Sequence, residues 1–78
     1  TLIELALGFV LAHPTVTSAI IGPRTMEHLE DQLGAMELKL STDVLDRIDE
    51  IVPPGAIVNP ADAGWTPPWL EDPSQRRR

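Results

Sequence analysis

Gly22-Pro23-Arg24 is the place in this sequence where residue type and spacing converge on a definite chemistry. The tripeptide joins a short β-branched run to a stretch with helical periodicity, and Thr25 stands where an N-cap belongs. The first turn of a helix has N–H groups with no partner inside the helix, and its dipole adds about 0.3–1 kcal/mol for an anion. Gly22 would let a ligand approach the backbone, and Arg24 offers a planar fork that matches phosphate oxygens two at a time. In an α/β unit such a site falls at the carboxyl end of the strand, where these three residues lie. Taken alone, a Gly-Pro turn with an exposed arginine is more often a plain connector.

The elements that must position this turn are legible on both sides. Leu2, Leu5, Ala6, Phe9 and Val10 follow the i, i+3, i+4, i+7, i+8 spacing of an apolar helix face, and Ile3, Leu7 and Leu11 widen it. That helix is expected to be buried on more than one side and to end at His13-Pro14. Residues 15–21 are rich in β-branched side chains and predict a strand of the central, parallel kind. No second convincing strand follows, so its backbone groups must pair outside these residues or the strand would not form. A helix capped by Thr25 carries Met26, Leu29, Leu33 and Met36, the two methionines being expected as core filler. A third helix starts at Ser41 or Thr42, carries Val44, Leu45, Ile48, Ile51 and Val52, and stops at Pro53-Pro54-Gly55.

The stretch from Ser18 to Leu33 (Ser18-Ala19-Ile20-Ile21-Gly22-Pro23-Arg24-Thr25-Met26-Glu27-His28-Leu29-Glu30-Asp31-Gln32-Leu33) resembles the last strand and last barrel helix of the aldo-keto reductases. Ala6 to Val16 resembles the family's seventh barrel helix and the turn after it, and Leu40-Ser41 with residues 44–49 resembles its extra outer helix. The resemblance runs through about residues 1–58. It implies an α/β fold, the carboxy-terminal portion of a (β/α)₈ barrel: helix 7, strand 8, helix 8, an outer helix and a tail, mostly helical as an isolated chain. Residues 1–55 would be the terminal βα portion and residues 56–78 a proline-rich tail. Thr1, opening straight into a helical pattern, is expected to be a cut end.

The resemblance also implies a cofactor, NADP(H), and assigns this segment to its adenosine 2′-phosphate. By position, Gly22, Pro23 and Arg24 match the loop that touches that phosphate. His28 matches a position where the family often has Gln or Arg beside phosphate and adenine. Asp31 and Gln32 match an acidic-then-amide pair that meets the adenine amino group. His28, Asp31 and Gln32 are spaced i, i+3, i+4 and share one helix face. Histidine is shorter than arginine, and Gln32 stands where Asn is more usual.

The family reduces aldehydes and ketones by hydride transfer, with a tyrosine acid assisted by lysine, aspartate and often histidine, all upstream of this segment. Here there is no tyrosine, and Lys39 falls after the last barrel helix. The chain by itself is therefore expected to be inactive, with the remainder of the barrel as its partner and a small carbonyl compound as the substrate of the complete enzyme. The opposing expectation is a small helical interaction module without catalysis, and a further variant keeps the cofactor site for sensing.

Bulk properties bound these readings. Seventy-eight residues allow one small domain, and such chains bury only about 60% of their unfolded surface. There is no cysteine, which is compatible with a reducing cytoplasm. No apolar run reaches the ~18–20 residues of a membrane span. The net charge of −6, with three of six basic residues at Arg76, Arg77 and Arg78, argues against nucleic acid. Those arginines are expected as a solvated tail. Glu27, Glu30 and Asp31 without a histidine cluster predict a solvated face rather than a metal site. Trp65 and Trp69 sit in an aperiodic tail that either shapes a substrate pocket or docks on a surface.

Overall fold

A computed structural model describes residues 1–75. Its principal elements are α1 (Leu2–Ala12), α2 (Met26–Gly34), α3 (Thr42–Ile51) and a short α4 (Pro68–Glu71), with 3₁₀ turns at Ala35–Glu37, Pro60–Asp62 and Pro73–Gln75. The expected solvated tail at Arg76, Arg77 and Arg78 lies outside the described residues.

Helices α1, α2 and α3 each begin where a side chain can satisfy a first-turn N–H group. At α1, Thr1 and Glu4 form a capping box: the Glu4 N–H donates to Thr1 Oγ1 at 3.1 Å, and the Thr1 ammonium donates to Glu4 Oε2 at 2.7 Å. That hydrogen bond from the ammonium, then its charge, then the Thr1 side chain hold the Glu4 carboxyl below its ordinary range. Helix α3 starts at Ser41, whose Oγ accepts from the Val44 N–H at 3.4 Å. Its end at Ile51, followed by Val52 in extended geometry and then two prolines, agrees with the expected stop.

Helix α2 runs on through Gly34 into the 35–37 turn, and both pack on α1. The segment after that turn also comes close to α1 where Gly8 has no side chain: a Cβ there would lie 3.3 Å from Leu40 Cγ. Ala35 is fully buried and Leu45 nearly so, and these two are the apolar core of the described residues.

Two expectations fail here, for one physical reason. Residues 16–23 carry no regular structure, and there is no strand among the described residues. A parallel strand needs hydrogen-bonding edges on neighbouring strands, and none of the described residues provides them. The expected burial of α1 and of the two methionines fails in the same way. Leu2 is 80% exposed, Met26 69% and Met36 71%, while on α1 only Gly8 is buried. The chain exposes 6466 Å², against about 4,700 Å² for a folded monomer of its mass. Its radius of gyration is 14.7 Å, against about 11.5 Å for a compact domain of this length.

The tail has more local order than its composition suggests. Gly55 takes φ = 83°, a left-handed conformation that glycine adopts without strain, and the Ala56 N–H donates to the Pro53 carbonyl at 3.0 Å. This turn brings Leu70 back over Gly55, where a Cβ would lie 3.2 Å from Leu70 Cδ1. Trp65 and Trp69 meet edge to face, with centroids 6.0 Å apart and planes at 84°. Asp72 accepts from the Ser74 hydroxyl at 2.7 Å, the Ser74 N–H at 2.9 Å and Gln75 Nε2 at 3.0 Å. Those bonds, the Ser74 hydroxyl foremost, draw its carboxyl below the ordinary range.

Candidate functional site

The start of α2 is built by Thr25. Its backbone is extended (φ −135°, ψ 163°), as an N-cap requires, and its Oγ1 accepts from the His28 N–H at 3.1 Å. The Thr25 carbonyl accepts from the Leu29 N–H at 3.1 Å, closing the first turn. The Met26 and Glu27 N–H groups have no hydrogen bond among the described residues, which leaves two backbone donors at the positive end of the helix dipole.

Around this helix start the six residues expected at the site are distributed unequally. Gly22 is exposed, and no atom lies within 4 Å of the position a Cβ would take, so space is open beside the backbone. Pro23 is half-buried and anchors the turn. Arg24, the residue before the cap, is exposed and takes part in no ion pair among the described residues. His28 is exposed one turn along, above the cap its own N–H completes. Asp31 is exposed on the same face.

Gln32 differs from the others. It is half-buried, and its Oε1 is shut off from solvent without a donor. An amide oxygen in that state costs about 1–3 kcal/mol, and it must rotate before it can accept from a ligand. The structure therefore leaves Arg24 and His28 exposed at the start of α2 and Asp31 exposed in its second turn, but does not present the Gln32 oxygen to solvent.

Thr25 was legible in the sequence only as a cap. With Oγ1 accepting from His28, its hydroxyl proton is still available to an incoming anion, which makes it a further polar group at the site. The signal was the hydroxyl residue directly after Arg24. Elsewhere, the tail encloses an open concavity of about 640 Å³ lined by Gly55, Ile57, Trp65 and Leu70 with Asp62 and Glu71 at its polar side. No group of acidic, histidine or cysteine residues among the described residues could hold a metal ion, and no described helix is long and apolar enough to cross a membrane.

The arrangement of a turn, an unpaired arginine and a capped helix start lies within a region that matches a known family. The sequence profile of the aldo/keto reductase family matches residues 1–53. The chain belongs to the aldo/keto reductase family. Among relatives, it is 39% identical over 62 residues to a Bacillus subtilis (strain 168) protein named as the uncharacterized oxidoreductase YrpG, covering 80% of this chain and 19% of that one. It is 38% identical over 48 residues to the protein Tas of Escherichia coli (strain K12), covering 62% of this chain and 14% of Tas. The chain thus spans less than a fifth of the length of each of these two relatives. No solved structure matches it. Membership in the aldo/keto reductase family implies a (β/α)₈ barrel as the parent fold, of which the described helices form a small, strand-free portion.

Proposed function

We propose that this chain is the cofactor-gripping, carboxy-terminal part of an NADP(H)-dependent oxidoreductase that reduces aldehydes or ketones. The observation that carries the reading is the exposed, unpaired Arg24 placed directly before a capped helix whose Met26 and Glu27 N–H groups are unused. A guanidinium fork and two backbone donors suit a phosphate monoester, and the cofactor feature that separates NADP(H) from NAD(H) is such a group, the 2′-phosphate.

When bound, the nicotinamide cofactor supplies the hydride. This chain's residues do something separate. Arg24 and the α2 start would hold the far phosphate, Gly22 would leave the backbone approachable, and Asp31 would accept from an adenine amino group. Gln32 joins only after its side chain turns outward. No residue here serves as the catalytic acid: the chain has no tyrosine, and proton delivery to the carbonyl belongs to the remainder of the barrel.

The excess surface supports that partner. Leu2, Phe9, Val10, Met26, Leu33 and Met36 are exposed on packed helices, and the chain's surface exceeds the expectation for its mass by about 1,800 Å². A self-sufficient helical module would bury such side chains, so this surface speaks against the non-catalytic alternative. A barrel would also provide the sheet edges that residues 15–21 lack. We place the protein's work in the cytoplasm, with the cysteine-free composition as support.

The test is NADPH oxidation by the parent enzyme with a panel of aldehydes and ketones. Carbonyl-dependent consumption by the parent, and none by these 78 residues alone, is expected. A parent without any carbonyl-dependent turnover would overturn the reading.

A further inference from the structure

The tail concavity of about 640 Å³ is built wholly from residues between Pro54 and Glu71, with no residue of the α2 start in its wall. It exists because Gly55 turns the chain at φ = 83° and Leu70 packs back over that turn. Its volume falls in the range of about 300–1,000 Å³ that takes a small organic molecule.

The wall has two chemistries. Ile57, Leu70 and Trp65 are apolar, and Asp62 and Glu71 bring carboxylates. Neither carboxylate takes part in a hydrogen bond or an ion pair among the described residues, and no lysine, arginine or histidine lines the concavity. Two like charges on one surface favour a cation there and repel an anion. A bare divalent ion would want more oxygens, and no group of three acidic, histidine or cysteine residues among the described residues could supply them. Trp65 suits a cation of another kind. It is 78% exposed, and its edge-to-face contact with Trp69 occupies at most one face of its ring. A free indole face attracts an ammonium group and packs on a hydrocarbon body equally well.

We propose that this concavity binds a small organic cation, an ammonium group on an apolar body, with the charge held by Asp62 and Glu71 and the body against Trp65, Ile57 and Leu70. The inference is independent of the 2′-phosphate reading of the α2 start. In an open site a cation–π contact and an ion pair are each worth about two- to fivefold in affinity. Together they should favour the cation over a neutral counterpart by about tenfold.

The probe is benzyltrimethylammonium, whose charge does not titrate, compared with benzyl alcohol and phenylacetate by calorimetric titration of the parent enzyme. We expect the cation to bind about tenfold tighter than the alcohol, the anion to bind weakest, and added salt to weaken the cation alone. Asp62→Asn, Glu71→Gln and Trp65→Leu should each lose about two- to fivefold for the cation. Glu37→Gln, an exposed carboxylate outside the concavity, should lose nothing. NADPH affinity should be unaltered in all four variants, which keeps this test separate from that of Arg24. Equal affinity for cation and alcohol overturns the proposal, as does a cation affinity that survives in the Asp62→Asn, Glu71→Gln double variant. Absence of cation binding to the parent overturns it too. So does an affinity that emerges only when residues 76–78 are deleted, because the occupant would then be the chain's own arginines.

Discussion

Replacing Arg24 with alanine in the parent enzyme isolates one guanidinium from its surroundings. The side chain is exposed and makes no ion pair among the described residues, so its removal should leave no buried charge behind and disturb no packing. On the proposed reading, what is lost is a contact with the 2′-phosphate. A hydrogen bond to a charged group is worth about 1.5–3 kcal/mol, equivalent to about 10- to 150-fold in affinity. Solvent and salt screen an exposed pair, which places the expected loss at the lower end, about tenfold. NADH, lacking that phosphate, should bind the variant within about twofold of wild type. The Met26 and Glu27 N–H groups remain, so NADPH binding weakens without vanishing. Steady-state kinetics with each cofactor and a fixed carbonyl substrate read this as a rise in KM for NADPH with kcat nearly unchanged, because the contact is made equally in ground and transition states. Arg24→Lys, which keeps charge but loses the fork, should fall between. An NADPH-to-NADH ratio unchanged in Arg24→Ala would refute the assignment, and a kcat loss equal for both cofactors would point to damage elsewhere.

Other outcomes follow from individual contacts. Thr25→Ala removes the cap on the His28 N–H and should cost about 0.5–2 kcal/mol in urea unfolding of the parent, with Thr25→Ser recovering most of it. Gly8→Leu forces a side chain into the space held by Leu38 and Leu40 and should cost about 1–3 kcal/mol by the same measurement, whereas Gly8→Ala should be much milder because helix propensity offsets the 3.3 Å contact. Gly55→Ala places a Cβ at φ = 83° and 3.2 Å from Leu70 Cδ1; the loss of about 1–2 kcal/mol should appear as altered fluorescence of Trp65 and Trp69, the protein segment's two tryptophans. The Asp72 carboxyl is depressed by its bonds to Ser74 and Gln75, so the order it gives the 73–75 turn is full above the ordinary carboxylate range and is lost as pH falls below it. Proton exchange of the Ser74 amide should quicken on that acid side in wild type and be fast throughout in Asp72→Ala.

The parts of the fold that could be read in the sequence are those whose hydrogen bonds are local. Thr25 and Ser41 cap the helices assigned to them, His13 ends α1, and Pro53 follows the end of α3, because each rests on bonds within four residues. The Thr1–Glu4 capping box has the same local logic, with a Thr-x-x-Glu spacing that goes with it. Residues 15–21 failed as a strand because a strand's partners lie elsewhere in a chain, and Met26 and Met36 failed as core because burial also needs a second surface. The turns of the tail depend on Leu70 meeting Gly55 fifteen positions away, which no periodicity encodes. At the candidate site, the helical spacing counted from Thr25 agrees with the exposed positions of Arg24, His28 and Asp31, but the χ angles that seal the Gln32 oxygen are set by packing and could not be read from spacing.

The central claim is that the start of α2 holds the 2′-phosphate of NADP(H), and a phosphorus NMR spectrum of NADP⁺ on the parent enzyme tests it at the atom concerned. The 2′-phosphate resonance should move from its free position on binding to wild type and stay close to it in Arg24→Ala at equal saturation. An identical displacement in both proteins, or none in either, would contradict the account.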